Sequence, residues 1–265
     1  MSRAPDSREL WELVIPGTHD SGAMLEPLLG LAATQDLTIA EQLEAGVRFF
    51  DLRARIVEDS FWLYHGSIDQ DQAFADVFAT LYAYLDANPS ETIIASLKEE
   101  ATPSNATKAF DAIFADYVAQ SPEHWLLGEA FPSLGEARGK IVLVRRFSST
   151  MAPLGIDAAP WADDATFTIA NRLRVQDEYT VDDNNAKWAA ITALLDEPRV
   201  ANALYLDYTS GYQTSMGLSN ILAVSDDINA RLDAKLASDV LAPGVLVMDH
   251  VTRERVQAVI DANEP

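Results

Sequence analysis

The chain has 265 residues, long enough to bury a sizeable core, and we expect residues 1–265 to form a single domain. It contains no cysteine, which excludes disulfides, thiolate catalysis and cysteine-ligated zinc. The formal net charge of −22, from 41 acidic residues against 19 lysines and arginines, argues against nucleic acid as a partner and against electrostatic capture by anionic lipid.

Strand-like and helix-like segments alternate along the chain. The apolar runs of strand length are, in chain order, LWELVI, VRFFDLRARIV, FWLYHG, TIIASLKE, KIVLVRRF, FTIANRLRV, NALYLDYT and GVLVMDH. Between most of them, apolar residues recur at helical spacing, as in DQAFADVFATLYAYLDANP and NNAKWAAITALLDE. This alternation predicts an α/β fold with a mainly parallel sheet. About eight strands, with neither a G-x-G-x-x-G motif nor a P-loop, favour a (β/α) TIM-type barrel over an open sheet.

Polar and charged side chains recur at the ends of these predicted strands. They are His19, Asp20, Asp51, Arg53, Arg55, His65, Lys98, Glu100, Arg145, Arg146, Asp177, Tyr179, Asp207, Asp249 and His250. The carboxyl ends of parallel barrel strands meet at one face, and that face holds the active site. A single charged residue at a strand end is usually part of a structural ion pair. Repetition at nearly every strand end instead predicts one shared cleft.

The residue types in this set suit phosphoryl transfer. Two histidines near carboxylates, His19 and His65, fit a general base and a general acid that work near neutral pH. An arginine between them, such as Arg53, would neutralise charge that develops on a phosphorus-bound oxygen. The chain lacks a nucleophile elbow and an H-E-x-x-H motif, which argues against a serine hydrolase and a zinc protease.

Several short motifs, taken together and in order, resemble those of the metal-independent bacterial phosphatidylinositol-specific phospholipases C. They are IPGTHDS, FFDLRARI, LYHG, IIASLKEE, GKIVLVRRFS, RVQDEY and VLVMDH. The resemblance covers nearly the whole chain and implies a single distorted barrel that is catalytic over residues 1–265. It also implies cleavage of phosphatidylinositol to diacylglycerol and inositol 1,2-cyclic phosphate, with glycosylphosphatidylinositol anchors as a further class of substrate.

The resemblance implies a role for each matched residue. His19 matches the general base that takes the proton of the inositol 2-hydroxyl, and Asp249 matches the carboxylate that orients it. His65 matches the general acid that protonates the leaving diacylglycerol oxygen, with Asp20 as its supporting carboxylate. Arg53 matches the residue that binds a non-bridging phosphate oxygen.

A second group of matched residues corresponds to the family's pocket for the myo-inositol ring. Lys98, Arg146 and Asp177 are expected to bind ring hydroxyls, and Tyr179 is expected to stack on the sugar. Arg145 remains an alternative to Arg146, because adjacent residues of a strand face opposite sides.

No metal and no other cofactor is expected. In calcium-dependent relatives, an asparagine follows the first histidine and a carboxylate occupies the position of Arg53, so that oxygen ligands surround the ion. Here those positions hold Asp20 and Arg53. The guanidinium would make calcium superfluous.

The resemblance implies a secreted monomer that contacts membranes peripherally. The first ten residues, MSRAPDSREL, lack the apolar core of a secretory signal, and no run approaches the roughly 18 apolar residues of a spanning helix. Two structures fit the apolar segment after His19 equally well, namely a short helix at the membrane interface and a buried helix that closes the barrel. The apolar residues of this segment are Met24, Leu25, Leu28, Leu29 and Leu31. The loop YTSGYQTSMG offers a second rim with Tyr208, Tyr212 and Met216.

Two other functions remain open from the sequence. One is a catalytically silent barrel that binds inositol phosphate or lipid headgroups, against which the matched acid and base argue. The other is an enzyme for another phosphodiester, such as a glycerophosphodiester, against which the inositol-pocket motifs argue. His124 and His250 are predicted to be packing or helix-terminal residues rather than catalysts.

Overall fold

The computed structural model describes residues 1–27, 30–215, 217–238 and 240–263. In these ranges the strands are β1 (Val14–Thr18), β2 (Phe49–Val57), β3 (Ser60–His65), β4 (Ile68–Ala73), β5 (Ile93–Glu99), β6 (Trp125–Leu126), β7 (Ile141–Arg146), β8 (Ile156–Asp157), β9 (Ala165–Ile169), β10 (Leu173–Asp177), β11 (Leu204–Tyr208), β12 (Gln213–Ser215), β13 (Leu218–Asn220) and β14 (Gly244–Met248). The helices are α1 (Ile39–Ala45), α2 (Phe74–Ala87), α3 (Phe110–Gln120), α4 (Leu134–Ala137), α5 (Asn184–Asp196), α6 (Leu222–Leu236) and α7 (Arg253–Asp261).

The main sheet is curled, and most of its strands are parallel. Its hydrogen-bonded order is β6-β7-β5-β2-β1-β14-β11-β10-β9. In the described ranges this path does not return from β9 to β6, so hydrogen bonds do not close the barrel. Helices cover the outside of the sheet and bury its outer face. The predicted distorted (β/α) barrel of the α/β class is confirmed.

Two of the predicted strand runs are antiparallel to the rest. β3 folds back on β2 and continues into β4, with Glu58 and Asp59 at positive φ in the two-residue turn between β2 and β3. The run FTIANRLRV is two strands, because Ala170 and Asn171 at positive φ turn the chain between β9 and β10. Apolar alternation is the same in parallel and antiparallel strands, and neither turn contains glycine.

Two apolar layers lie on the two faces of the sheet. The larger layer lies between the sheet and helices such as α2 and α6, and contains Phe78 and Ile228. The second fills the barrel interior, where Phe49, Ile94 and Val245 pack together. Both layers consist of residues that are almost completely buried. They hold the strand ends, and therefore the site above them, in fixed positions.

Local signals explain where the helices that flank the site begin and end. Thr38 caps α1 in a capping box with Glu41, and Thr252 caps α7 through the backbone N–H of Arg255. α1 ends at Gly46, whose φ of 112° suits glycine and where a Cβ would lie 2.5 Å from the Cδ1 atom of Ile260. These helices follow β1 and β14, the two strands that carry His19 and Asp249 at their ends.

Candidate active site

The charged residues of the site continue the inward-facing series of the barrel strands. On β2, Phe49 belongs to the interior layer, and Asp51 and Arg53 follow at the alternate positions that face the same side. The same alternation leads from Val142 and Val144 to Arg146 on β7. Toward the carboxyl ends of the strands, the interior therefore changes from apolar to ionic.

The ionic layer forms the floor of a cleft with a volume of about 440 Å³. Eight of the nine predicted site residues line it, namely His19, Arg53, His65, Lys98, Arg146, Asp177, Tyr179 and Asp249. The ninth, Asp20, is 1% exposed and lies beneath the cleft.

His19 is held from both ring nitrogens. Nδ1 lies 2.8 Å from Oδ1 of Asp249, and Nε2 lies 2.7 Å from a terminal nitrogen of Arg53. A carboxylate accepts and a guanidinium donates, so this geometry assigns the proton to Nδ1 and the lone pair to Nε2. The ring therefore presents a basic nitrogen next to a fixed cation.

Arg53 is fixed by several carboxylates. Its Nε and one terminal nitrogen donate to Oδ2 of Asp51 at 3.1 and 3.0 Å, while Glu100 lies 3.6 Å away. Asp51, which is completely buried, also accepts from Arg146 at 3.1 Å. Burial disfavours the charged form of Asp51, but Arg53 and Arg146 outweigh burial and hold its pKa well below its usual range. Asp51 thus remains a carboxylate that aligns two guanidinium groups.

His65 is held by a backbone carbonyl and lies near its predicted carboxylate, Asp20. Its Nδ1 donates to the carbonyl of Ala32 at 2.6 Å, whereas Asp20 lies 4.0 Å from the same nitrogen. Neither carboxyl oxygen of Asp20 has a hydrogen-bond partner, and burial raises the pKa of Asp20 to about 8. Burial and the nearby Arg53 also lower the pKa of His65. The Ala32 carbonyl, rather than Asp20, fixes the ring of His65.

Lys98 and Glu100 form an ion pair on one wall of the cleft. Nζ of Lys98 lies 2.6 Å from Oε2 of Glu100. The other oxygen of Glu100, Oε1, accepts from the backbone N–H of Gly66 at 2.9 Å. Burial disfavours the Glu100 carboxylate, but Arg53 and Lys98 lower its pKa to about 2. Burial beside Arg53 lowers the pKa of Lys98.

The opposite wall combines aromatic rings with charged groups. The guanidinium of Arg146 lies 3.7 Å from the centroid of the Trp161 ring, and the indole N–H of Trp161 donates to Asp177 at 2.9 Å. The Tyr179 hydroxyl donates to Asp163 at 2.5 Å, which raises the pKa of Tyr179. A polyhydroxylated ring would meet donors, acceptors and an aromatic face here.

The match to the family model "Phosphatidylinositol-specific phospholipase C, X domain" extends over residues 14–147, about half of the chain. The 1-phosphatidylinositol phosphodiesterase of Staphylococcus aureus strain Newman is 31% identical, and the alignment covers 100% of this chain and 93% of that protein. The chain belongs to this phospholipase C family.

Solved structures of family members have the same architecture. A phosphatidylinositol-specific phospholipase C from Staphylococcus aureus matches with a TM-score of 0.89 at 30% identity, covering 100% of this chain and 96% of that one. The enzyme from Listeria monocytogenes matches with a TM-score of 0.80 at 25% identity, covering 100% and 98%. Another structure of the Staphylococcus aureus enzyme concerns the modulation of its membrane binding.

The structure also decides between the adjacent arginines of this phospholipase C. Arg145 faces away from the cleft, where it donates to the carbonyls of Leu154 and Phe147 and pairs with Asp157 at 2.8 Å. Arg146, on the other side of β7, is the one that lines the cleft.

The remaining histidines lie outside the cleft lining. His124 contacts Asp86 at 3.1 Å and stacks on Tyr82, while His250 contacts Asp36 at 2.9 Å. Of the described residues, no three histidine, aspartate or glutamate side chains are grouped so that they would hold a metal ion.

The two segments that the sequence predicts at the rim of the cleft, the one after β1 and the one after β11, are arranged differently from that prediction. No helix forms in the described residues between β1 and α1; Leu25 is 47% exposed there, and Met24 and Leu31 are half-buried. Tyr208 was predicted at a rim but is completely buried, with its hydroxyl 3.4 Å from Arg146. Tyr212 lines the cleft. Leu28, Leu29 and Met216 lie outside the described residues.

Four groups of the site were not assigned from the sequence. Asp51 and Glu100 stand near strand ends, and their alternation with Arg53 and Lys98 is the signal in the sequence that could have assigned them to the site. Trp161 and Asp163 lie between predicted strands, and no local pattern connects them to the cleft.

Proposed function

We propose that this chain cleaves phosphatidylinositol by attack of the inositol 2-hydroxyl on phosphorus. The O2–P bond forms, the bond from phosphorus to the diacylglycerol oxygen breaks, and the products are inositol 1,2-cyclic phosphate and diacylglycerol. The observation that carries the proposal is the contact of His19 with both Asp249 and Arg53, because a ring nitrogen with a free lone pair and a guanidinium able to bind phosphate then lie side by side.

His19 is the general base. Its Nε2 takes the 2-hydroxyl proton, and the imidazolium that forms is stabilised by Asp249 across the 2.8 Å contact with Nδ1. Arg53 then exchanges its contact with Nε2 for the non-bridging phosphate oxygen on which charge develops. Since nucleophile and phosphorus belong to one molecule, the attack needs no second reactant.

His65 is the general acid. Its ring lies across the site from His19, with the two ring centroids 6.5 Å apart, which leaves room for a phosphate group between them. Nδ1 is engaged with Ala32, so Nε2 is the nitrogen that delivers the proton to the diacylglycerol oxygen. The depressed pKa of His65 makes its imidazolium a stronger acid toward that leaving group.

Lys98, Arg146, Asp177 and Tyr179 hold the myo-inositol ring. The first two bring positive charge to the walls, Asp177 accepts from ring hydroxyls, and Tyr179 stacks on the apolar face of the ring. Their position in one cleft with His19 supports this assignment. The pocket favours phosphatidylinositol over a glycerophosphodiester, because an open glycerol chain would leave several of these ring-binding groups without a hydroxyl or a ring face to contact.

The reaction proceeds without a metal ion in this proposal. The Arg53 guanidinium, fixed by Asp51 and 2.7 Å from His19, supplies the positive charge where a cation would otherwise be required. We also propose that residues 1–265 form one catalytic domain, because the site takes residues from β1 through to the segment after β14.

We further propose that the enzyme is secreted and contacts membranes peripherally. No helix within the described ranges has the length and apolar character needed to cross a bilayer. Leu25 and Leu218 are 47% and 53% exposed, and their segments are joined beside the cleft by the bond from the Ile221 N–H to the Gly30 carbonyl at 2.8 Å. Replacing either leucine by aspartate should slow vesicle hydrolysis but not hydrolysis of a monomeric lipid. Val200→Asp is the control, since Val200 is 57% exposed and lies before β11, at the opposite end of the barrel.

Headgroup selectivity tests the proposed substrate. We expect diacylglycerol release from vesicles of phosphatidylinositol, including lipid with a glycosylated inositol, and none from phosphatidylcholine or phosphatidylethanolamine. Binding of the inositol lipid without product would favour the silent binding barrel. Cleavage of a glycerophosphodiester at a comparable rate, measured as release of its alcohol, would favour the other enzyme class.

A further inference from the structure

The carbonyl of Ala32 connects the rim of the cleft to His65. Ala32 follows the segment that leaves β1, and its carbonyl accepts from Nδ1 of His65 at 2.6 Å. Ala32 is completely buried, so water does not compete for this contact. The orientation of His65 therefore depends on where the backbone of this segment is held.

The side chain of Glu26 contacts that backbone at three consecutive residues. The carboxylate of Glu26 accepts from the N–H groups of Leu31 at 3.2 Å, Ala32 at 3.2 Å and Ala33 at 3.0 Å. Three N–H groups that converge on one charged acceptor form stronger hydrogen bonds than a neutral acceptor would give. Glu26 thereby fixes the peptide units on both sides of Ala32.

Within the part of the chain that the structure describes, the neighbouring carboxyl group does not hold the ring of His65 by a hydrogen bond. Asp20, the nearest carboxyl group, is 4.0 Å from Nδ1, and neither of its oxygens has a hydrogen-bond partner. Tyr64, the residue before His65, uses its hydroxyl to donate to Asp69. The Ala32 carbonyl is thus the contact on which the tautomer and the direction of Nε2 depend.

We propose that Glu26 is a positioning residue for the general acid: it holds the backbone at residues 31–33 so that the Ala32 carbonyl keeps Nε2 of His65 directed at the leaving oxygen. This inference rests on the proposed acid role of His65. It predicts that Glu26 affects the step that needs the acid and spares attack by the 2-hydroxyl.

The same contact influences the protonation of His65. Titratable and charged groups that face the ring are Arg53, Glu100, Asp20, Asp249 and His19. Burial and Arg53 lower the pKa of His65, and the Ala32 carbonyl opposes them by stabilising the protonated ring. If the carbonyl moves away, the pKa of His65 falls further, and the high-pH limb of kcat moves to lower pH.

The test compares two monomeric substrates with the whole chain. One is a short-chain phosphatidylinositol, whose leaving alkoxide needs a proton, and the other is a nitrophenyl ester of inositol phosphate, whose leaving group does not. The variants are Glu26→Gln and Glu26→Ala. Glu44→Gln is the matched control, because Glu44 lies on α1 with its side chain 67% exposed.

For both Glu26 variants we expect kcat for the lipid to fall by roughly 10-fold, part of the ~10²- to 10⁴-fold that a general acid contributes. The nitrophenyl substrate should change by less than about 2-fold, KM should stay constant, and the high-pH limb for the lipid should move to lower pH. Glu44→Gln should resemble the wild type.

An equal loss on both substrates, or no loss on either, would overturn the inference. His65→Ala separates that result from failure of the acid assignment. If His65→Ala shows the dependence on the leaving group and the Glu26 variants do not, only the role of Glu26 is wrong. If His65→Ala affects both substrates equally, the acid assignment is wrong and the role of Glu26 falls with it.

Discussion

Asp249→Asn tests how His19 is kept basic. Asp249 is 2% exposed, its Oδ1 accepts from Nδ1 of His19, and its Oδ2 has no hydrogen-bond partner. Asparagine has nearly the same shape but no charge. If its amide nitrogen faces His19, the imidazole proton moves to Nε2, where it opposes the donor from Arg53. If its oxygen faces His19, the tautomer is retained but the imidazolium loses its counter-charge.

The contact geometry gives the magnitude. With 2.8 Å between nitrogen and oxygen, the charge centres of imidazolium and carboxylate are roughly 4 Å apart. At an effective dielectric constant of about 20, this attraction is about 4 kcal/mol. Because the imidazolium exists only after proton transfer, the loss falls on the transition state. We therefore expect kcat to fall about 10³-fold.

The assay measures kcat and KM for a monomeric short-chain phosphatidylinositol. Asp36→Asn is the matched control, because Asp36 contacts His250 at 2.9 Å in the same manner, but its side chain is 72% exposed and neither residue lines the cleft. The control should keep its activity within about 2-fold, as expected for a surface pair. If kcat of Asp249→Asn stays within about 5-fold of the wild type, the role of Asp249 as counter-charge to the base is refuted.

Three further predictions concern the rest of the site. Arg146→Lys loses the stacking of the guanidinium on Trp161, so KM in steady-state kinetics should rise about 10-fold. Arg145→Lys should leave KM unchanged, because Arg145 faces away from the cleft. Equal changes in KM for the two variants would contradict the assignment of Arg146 to the inositol pocket. Burial raises the pKa of Asp20 from 3.8 to about 8, so between these pH values the native state keeps a proton that the unfolded chain loses. In urea unfolding, the free energy of unfolding of the wild type relative to Asp20→Asn should therefore fall as the pH is raised from about 4 to about 8. A rise over this range would show that Asp20 is charged in the native state. Burial and Arg53 lower the pKa of His65 from its ordinary value of 6.5 in the substrate-free enzyme. The high-pH limb of kcat/KM for the lipid, which reports the free enzyme, should therefore lie below pH 6.5, and a limb at or above 6.5 would contradict this environment.

The parallel part of the barrel was predictable because its signals are local. Runs such as GVLVMDH and KIVLVRRF are continuous, buried strands, and polar residues at their ends identify the face that carries the site. The direction of β3 and β9 was not predictable, because turns at Glu58-Asp59 and Ala170-Asn171 lack the glycine signal of a tight hairpin. His65 nevertheless reaches the cleft, since the end of β3 returns alongside β2.

Residues of the site were predictable where one strand end carries them, and their partners across the cleft were not. The motif around His19 identifies a candidate base, but the contact of His65 with Ala32 joins residues 33 positions apart, and Ala32 lies in a loop whose described residues form no helix or strand. Trp161 similarly reaches Asp177 from a connecting segment. A pattern of residue types shows neither which carbonyl a ring will contact nor how completely Asp51 will be buried.

The fate of the phosphorus atom tests the central claim most directly. Phosphorus NMR should follow phosphatidylinositol as it is cleaved by the wild-type enzyme in excess EDTA. We expect the cyclic phosphodiester to appear first, at a rate that EDTA does not change, because His19 activates the 2-hydroxyl and Arg53 supplies the positive charge. Inositol 1-phosphate as the first product, or loss of activity in EDTA with recovery on addition of calcium, would contradict the account.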